Sequence, residues 1–241
     1  MMTIQLKSKF FIAGLILVFA TLSLVSCGKK WKKTTQVTFN FLMTKDSIHL
    51  DDDDVLYFYE GSMIIGEMDF FGSREQGVPV NFSNQLKTVP TANLADGTTT
   101  SSIRYDIPQG IYENINLSIK AVNKDTVSSI ILNGVFYDRG DDNKNTHVIF
   151  ELDAEQIFNT KAIDKSGKNK IVLTEGTPAK CNITLNVNYW FATLTEKMFE
   201  KSDTYFVNGE ETIIVSKEKN QDIYNLISQR IMQSTTKAVF Q

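Results

Sequence analysis

The chain has 241 residues, of which 42% are hydrophobic and 22% are charged, which argues against a disordered tail and against a polytopic membrane protein. Its formal net charge of −3 argues against a dedicated nucleic-acid binder, because such a protein needs a basic surface to replace phosphate counterions. Two cysteines and two histidines are too few for zinc clusters, a disulfide framework or most histidine-driven catalysis.

The first 26 residues have the organisation of an export signal. Lys7 and Lys9 precede an apolar run from Phe10 to about Leu24. A positive segment followed by such a run is typical of a signal peptide, and the run is short for a membrane span, which needs about 20 apolar residues. The sequence therefore predicts a signal peptide over residues 1–26, with an uncleaved single-span anchor as the alternative.

The end of this run, Leu24-Val25-Ser26-Cys27, resembles the lipobox of bacterial lipoproteins. In that family the cysteine becomes the first mature residue, its sulfur carries diacylglycerol and its amine is acylated. The resemblance therefore implies covalent diacylglycerol and an acyl chain on Cys27, with the membrane as the partner of these lipids. Each buried CH₂ group of such chains contributes about 0.8 kcal/mol to anchoring. No other cofactor is expected.

Residues 27–35 are predicted to form a basic tether. Four lysines between positions 29 and 33 surround Trp31, and this segment either lies among lipid head groups or stays solvated. The composition of the chain is similar to that of Bacteroidota lipoproteins, whose surface-exported members usually carry acidic residues soon after the cysteine. The lysines therefore favour an outer-membrane anchor that faces the periplasm over display at the cell surface.

Residues 36–241 are predicted to form one β-sandwich domain. About nine short segments alternate between apolar and polar residues, as half-buried strands do. Turn signals predict a hairpin at residues 60–62 and a long loop over 72–102 with one edge strand near 78–82. Residues 154–159 are interpreted as one helical turn. The clearest alternation includes Cys181, which is predicted to be a buried apolar residue and not a nucleophile.

The C-terminal part adds a hairpin and helices to this pattern. Asn208 and Gly209 suit the positive φ angles of a type I′ turn. Asn220 is predicted to cap a helix whose apolar stripe starts at Ile223 and extends to Ala238. Because strands dominate and helices come late, the sequence predicts a mainly β fold, an antiparallel β-sandwich with one or two C-terminal α-helices.

The turn over residues 107–112 places Pro108, Gly110 and Tyr112 in an order that resembles the turns of Bacteroidota β-sandwich envelope lipoproteins. Relatives of that broad type include pilus subunits and metal-binding periplasmic proteins. The resemblance implies a fold and supplies no functional residue.

Two triplets resemble the O-glycosylation acceptor of Bacteroidota, in which an aspartate precedes serine or threonine and an aliphatic residue. They begin at Asp46 and Asp125, so Ser47 and Thr126 are the candidate acceptors.

One acidic loop has the ligand spacing of a calcium site. Asp141, Asn143 and Asn145 match the start of an EF-hand loop, but Thr146 and Leu152 occupy the positions of its glycine and its bidentate glutamate. A second acidic run, residues 51–54, has charge without this spacing. Calcium binding is therefore one interpretation of this loop, a solvated loop is the alternative, and no metal is expected.

The sequence contains no nucleotide-binding loop, no serine-hydrolase elbow and no zinc-protease motif, and no candidate catalytic residue. The first functional hypothesis is a lipid-anchored cell-envelope binding or scaffold protein without catalytic activity, which binds an envelope protein or a glycan and no nucleic acid. The alternatives are a glycan-binding accessory lipoprotein, a pilus-anchor subunit, or a carboxylate-dependent glycoside hydrolase, because two carboxylates on different strands leave no local signature.

Overall fold

The computed structural model describes residues 33–50, 54–86, 88–139 and 144–241. These residues fold mainly into β-strands, which confirms the predicted mainly β class. The strands are β1 (Thr34–Met43), β2 (Ile48–His49), β3 (Val55–Arg74), β4 (Val80–Gln85), β5 (Thr91–Asn93), β6 (Ile103–Pro108), β7 (Gly110–Ala121), β8 (Ile130–Tyr137), β9 (Asn145–Leu152), β10 (Gln156–Asp164), β11 (Ile171–Leu173), β12 (Ala179–Leu185), β13 (Thr204–Val207), β14 (Glu210–Val215) and β15 (Lys237–Phe240). The helices are α1 (Val187–Phe191), α2 (Glu196–Glu200) and α3 (Gln221–Gln233).

The described strands join into one mixed sheet. Its main path runs β13-β14-β9-β8-β3-β7-β10-β15-β12-β1-β6, with β11 on β7 and with β2, β4 and β5 on β3. Three pairs are parallel, namely β1 with β12, β10 with β15 and β14 with β9. The pairing is therefore not purely antiparallel, because helices and loops carry the chain between strands that run in the same direction.

The 20-residue strand β3 lies in the middle of this sheet and joins its β8 side to its β7 side. Residues 55–63 pair with β8, and residues 65–74 pair with β7. The register shifts between Phe58 and Glu60 and again between Ile65 and Glu67, so the strand bends at two β-bulges.

The hairpin expected at residues 60–62 is wrong, because β3 continues through them. Gly61 is buried, and a Cβ atom there would lie 2.8 Å from the Leu132 side chain. This glycine therefore permits close packing between strands and does not form a turn.

Two other local predictions change as well. The helical turn expected at 154–159 is wrong, since β10 begins at Gln156 and buries Phe158, Thr160 and Ala162 on one side. Its register against β7 imposes extended backbone on a segment whose local sequence is ambiguous. The strand expected near 78–82 is present as β4, but the long loop expected over 72–102 is shorter, because it also contains the end of β3 and strand β5.

The turn over residues 107–112 forms a corner between β6 and β7. The Tyr112 hydroxyl donates to the Pro108 carbonyl oxygen at 2.6 Å. The neighbouring turn is held from two sides, because Arg74 Nη1 donates to the Gln109 carbonyl oxygen at 3.2 Å and the Glu175 amide donates to Gln109 Oε1 at 3.2 Å. The residues that carried the family resemblance therefore shape the backbone.

The helices lie between β12 and the last strand. Helix α1 packs on α3, where the Arg230 guanidinium lies 4.1 Å from the centroid of the Tyr189 ring. The two-residue turn at Asn208 and Gly209 has the predicted positive φ angles, 53° and 88°.

The predicted end of α3 is wrong in one respect. Ser234 adopts extended backbone and ends the helix, so Ala238 lies in β15 and not on the helical stripe. Strand β15 lies between β10 and β12 and pairs with both. Asn220 precedes α3 as predicted, but its side chain does not cap the helix. The side-chain Nδ2 atom instead donates to the carbonyl oxygens of Ile214 and Asp203.

The core is formed by the apolar positions of these strands together with α1 and α3. Cys181 is fully buried, as predicted, and burial raises the pKa of its thiol. The aromatic residues Phe58, Phe70 and Trp190 also lie in the core, whereas Tyr59 and Phe71 are exposed. Among the described residues, no helix combines the length and the apolar character that crossing a membrane requires.

Candidate functional site

Several candidate residues from the sequence lie outside the described residues. These are the lipobox residues Leu24, Val25 and Ser26, the lipidation residue Cys27, and Asp141 and Asn143 of the calcium loop.

The candidate glycosylation residues Ser47 and Thr126 are both exposed. Thr126 lies in a turn closed by backbone hydrogen bonds between Lys124 and Val127. Both hydroxyl groups are therefore accessible, and their glycosylation stays a prediction.

Of the three candidate calcium ligands, Asn145 is the one that the structure describes. Asn145 begins β9 and pairs with Tyr137. In the part of the chain that the structure describes, no group of three or more histidine, cysteine, aspartate or glutamate side chains could hold a metal ion. Asp54, the described end of the acidic run, is buried, and its Oδ1 atom accepts a hydrogen bond from the Arg139 amide at 2.7 Å.

A polar surface covers the outward side of β4, β3, β7 and β10. Inward residues of these strands, such as Phe70, Leu117 and Phe158, are buried, so period-two alternation points the residues between them outward. Cross-strand register arranges the outward residues in three rows, and we call the first two rows the polar face. The rows are Asn81–Phe71–Asn116–Lys161, Ser83–Asp69–Ser118–Asn159 and Gln85–Glu67–Lys120–Ile157.

The polar face contains a shallow depression of about 390 Å³. All residues of the first two rows line it except Ser83. Such a depression is open to solvent and suits a ligand that lies along the sheet.

Two residues of the polar face stand out: Phe71 has an exposed ring, and Asp69 has an unpaired carboxylate oxygen. The Phe71 ring is 43% exposed although its neighbours across the strands are polar. Asp69 Oδ1 is buried and has no hydrogen-bond partner among the described residues. An unpaired buried acceptor costs about 1–3 kcal/mol, so a donor that reaches it stabilises the protein.

The third row differs, because its charged groups are already paired. Glu67 Oε1 accepts from the Ser83 hydroxyl at 2.9 Å, and Lys120 Nζ lies 2.6 Å from Glu155 Oε2. The hydrogen bond to Glu155 raises the pKa of Lys120. The binding capacity of this surface therefore lies in the first two rows.

A second depression of about 340 Å³ lies beside β5. Its loop is bonded internally: the Ala95 amide donates to Asn93 Oδ1 at 2.9 Å, and the Thr98 amide and hydroxyl both donate to Asp96 Oδ1. These hydrogen bonds from Thr98 lower the pKa of Asp96. Asn93 and Thr98, which line this depression, are therefore engaged in hydrogen bonds within the loop.

The sequence patterns do not identify Phe71, Asp69 or Asn116 as members of one site. The available signal was the alternation of Glu67, Asp69 and Phe71 along one strand, which places all three on one side. Their neighbours on β4 and β10 depend on register, which the local sequence does not encode.

No family model matches the chain, and no curated protein or solved structure matches it.

Proposed function

We propose that this chain is a lipid-anchored protein of the bacterial cell envelope that binds another envelope component through the polar face and has no catalytic activity. The observation that carries the binding role is the exposed Phe71 ring beside the unpaired Asp69 oxygen. The anchor is supported by the export signal and lipobox that end at Cys27.

The position of the first described residues supports a domain held close to the membrane. Lys33 Nζ lies 2.6 Å from Glu175 Oε1, and the Lys33 carbonyl oxygen accepts from the Gln109 amide at 2.9 Å. Six residue steps separate Cys27 from Lys33, so the linker spans at most about 20 Å. An outer-membrane anchor that faces the periplasm fits the lysines of this linker.

We also propose that the mixed sheet closes into a β-sandwich. Two observations support this arrangement: strands such as β7 and β8 bury alternate residues only, and β3 bends at two bulges so that its halves pair with different strands.

The anchor is tested by mass spectrometry of the protein extracted from membranes. The wild-type chain should begin at an acylated Cys27, and Cys27→Ala should lose the lipid and leave the membrane fraction. A chain without lipid at position 27 contradicts the anchor. Resistance of the wild-type protein to protease on intact cells supports the periplasmic orientation, and rapid cleavage contradicts it.

The binding role is tested by photo-crosslinking in cells. A photoreactive amino acid at Asn116, inside the polar face, should yield a crosslinked species that the same amino acid at Tyr59 does not. Tyr59 is a matched control because it is an exposed residue of a neighbouring strand. Equal crosslinking at both positions contradicts a specific binding face.

A pilus-anchor subunit is the second candidate, and the last strand favours it. Strand β15 fills the space between β10 and β12 with buried Ala238 and Phe240. A short strand held between two others in this way is the kind of element that subunits exchange when they pair by strand addition. Deletion of residues 237–241 should then produce a chain that incorporates a synthetic peptide of that sequence, whereas a chain that aggregates and takes up no peptide contradicts this candidate.

The carboxylates of this surface do not favour a glycoside hydrolase. Asp69 lines the depression, and Glu67 lies two residues away on the same strand and not across a cleft.

A further inference from the structure

We propose that the polar face binds a carbohydrate, with a sugar ring stacked on Phe71 and a sugar hydroxyl donating to the Asp69 carboxylate. This inference rests on the proposed function, because it names the chemical class of the ligand that the same face would bind.

The Phe71 ring supplies the stacking surface. It is 43% exposed and lies between the amide side chains of Asn81 and Asn116 on the neighbouring strands. The face of a phenyl ring carries partial negative charge, so it attracts the C–H groups on the apolar side of a pyranose. The phenylalanine side chain has no polar atom. Covering its exposed ring is therefore favourable only when the partner has an apolar side.

The Asp69 carboxylate supplies an acceptor. Asp69 Oδ1 has no partner within the described part of the chain. Asp69 lines the depression, and the terminal torsion of an aspartate side chain is soft, so its carboxylate can adjust to a donor that enters there. An ionised carboxylate only accepts hydrogen bonds, so the ligand must bring O–H or N–H donors.

The remaining groups of the face are mostly neutral amides and hydroxyls. Asn81, Asn116 and Asn159 each offer donors and an acceptor, and Ser118 lies directly across from Asp69. Groups that both donate and accept are suited to the hydroxyl rim of a sugar, whose own hydroxyls do the same. Lys161 is the cation of the first two rows, which are therefore not built for a strongly anionic ligand.

The spacing of the two key groups fits one sugar ring. Phe71 and Asp69 are two residues apart on one strand, a separation of about 7 Å, and four strands span about 14 Å. One ring can therefore stack on Phe71 while its substituents reach Asp69, and the width of the face admits further rings of an oligosaccharide.

A protein partner suits the face less well. Hot spots of protein interfaces contain several buried apolar or aromatic anchors. On the three rows the exposed large apolar side chains are Phe71 and Ile157, which lie in different rows on different strands. A single ring surrounded by amides is the arrangement expected for a sugar.

The test uses the detergent-extracted full chain on a printed array of bacterial, plant and host polysaccharides. We expect wild type to bind at least one glycan, and Phe71→Ala and Asp69→Ala to weaken that binding about tenfold each. Tyr59→Ala is the matched control, because Tyr59 is 42% exposed on the same strand but lies outside the depression. It should bind as wild type does.

Two results overturn the inference: no printed glycan is bound, or the bound glycan is retained fully by Phe71→Ala. Array binding does not depend on the lipid, so loss of the anchor and loss of the sugar site are separate outcomes. A protein captured from Asn116 in cells, with no glycan bound on the array, overturns the carbohydrate while the binding role stands. Because Phe71 and Tyr59 are exposed, the circular dichroism spectra of Phe71→Ala and Tyr59→Ala should match that of wild type.

Discussion

Strand β3 carries two exposed aromatic residues, and they are exposed for different reasons. Tyr59 is 42% exposed at a β-bulge, where it has no residue opposite it on β8. A bulge turns its extra residue away from the ladder, so local geometry accounts for Tyr59. Phe71 is 43% exposed in regular register with Asn81 and Asn116, and geometry accounts only for its direction, not for its apolar side chain. Exposure alone therefore does not identify a site; the neighbours and the cause of exposure do.

The largest expected effect is the difference in stability between Phe70→Ala and Phe71→Ala. Phe70 is fully buried and stacks on Phe82 at a centroid distance of 5.1 Å. Phe70→Ala should lower the free energy of unfolding by about 3–5 kcal/mol, whereas Phe71→Ala should change it by no more than about 0.5 kcal/mol. Urea denaturation measures both, and a comparable loss in Phe71→Ala would show that this ring has a structural role.

The next effect concerns the strand opposite the bulge. A Cβ atom at Gly134 would lie 2.5 Å from the Tyr57 carbonyl oxygen, so this glycine permits the close approach of β8 to β3. Gly134→Ala should destabilise the fold by about 1–3 kcal/mol, as overpacking does. Asn133→Ala, one residue away, serves as the control in the same denaturation experiment. Equal stability of both variants would show that close packing at Gly134 does not shape the bulge that exposes Tyr59.

A smaller effect is expected at Tyr112, in the corner where β6 meets β7. Burial raises the pKa of Tyr112 to about 12, above its ordinary value near 10. The unfolded chain then ionises first, so the stability that Tyr112 contributes is complete below pH 10 and is lost as pH rises from 10 to about 12.

Tyr112→Phe should lose about 1 kcal/mol at neutral pH with the hydrogen bond to Pro108, and should lose this alkaline dependence as well. Thermal unfolding from pH 8 to 11.5 measures both quantities. An unchanged alkaline slope in the variant would assign the pH dependence to other groups.

The smallest effect is an absence of reaction. Burial raises the pKa of the Cys181 thiol, so little thiolate forms at neutral pH. A thiol reagent at pH 8 should label position 181 only after denaturation. Rapid labelling of the folded chain would show that β12 opens in solution.

Patterns within one strand were predictable, and relations between strands were not. Alternation predicts the mainly β class and the burial of Cys181, and the Asn208-Gly209 pair predicts the turn. Alternation fails where pairing overrides local sequence, as in β10, whose local sequence predicts a helical turn. It also fails at Gly61, where close packing and not a turn requires glycine.

The polar face depends most strongly on pairing. Asp69 and Asn116 come from segments almost fifty residues apart, and Lys161 comes from a third segment. Their adjacency follows from the register of β3, β7 and β10. A sequence alone contains the alternation of each strand but not the offset between strands, so the depression could not be predicted.

The most direct test of the central claim is hydroxyl-radical footprinting of Phe71 and Tyr59, in intact cells and in the purified protein. If Phe71 is exposed in order to bind an envelope component, its oxidation rate should fall several-fold in cells while that of Tyr59 is unchanged. Equal rates in cells and in the purified protein at both residues would contradict a bound partner at the polar face.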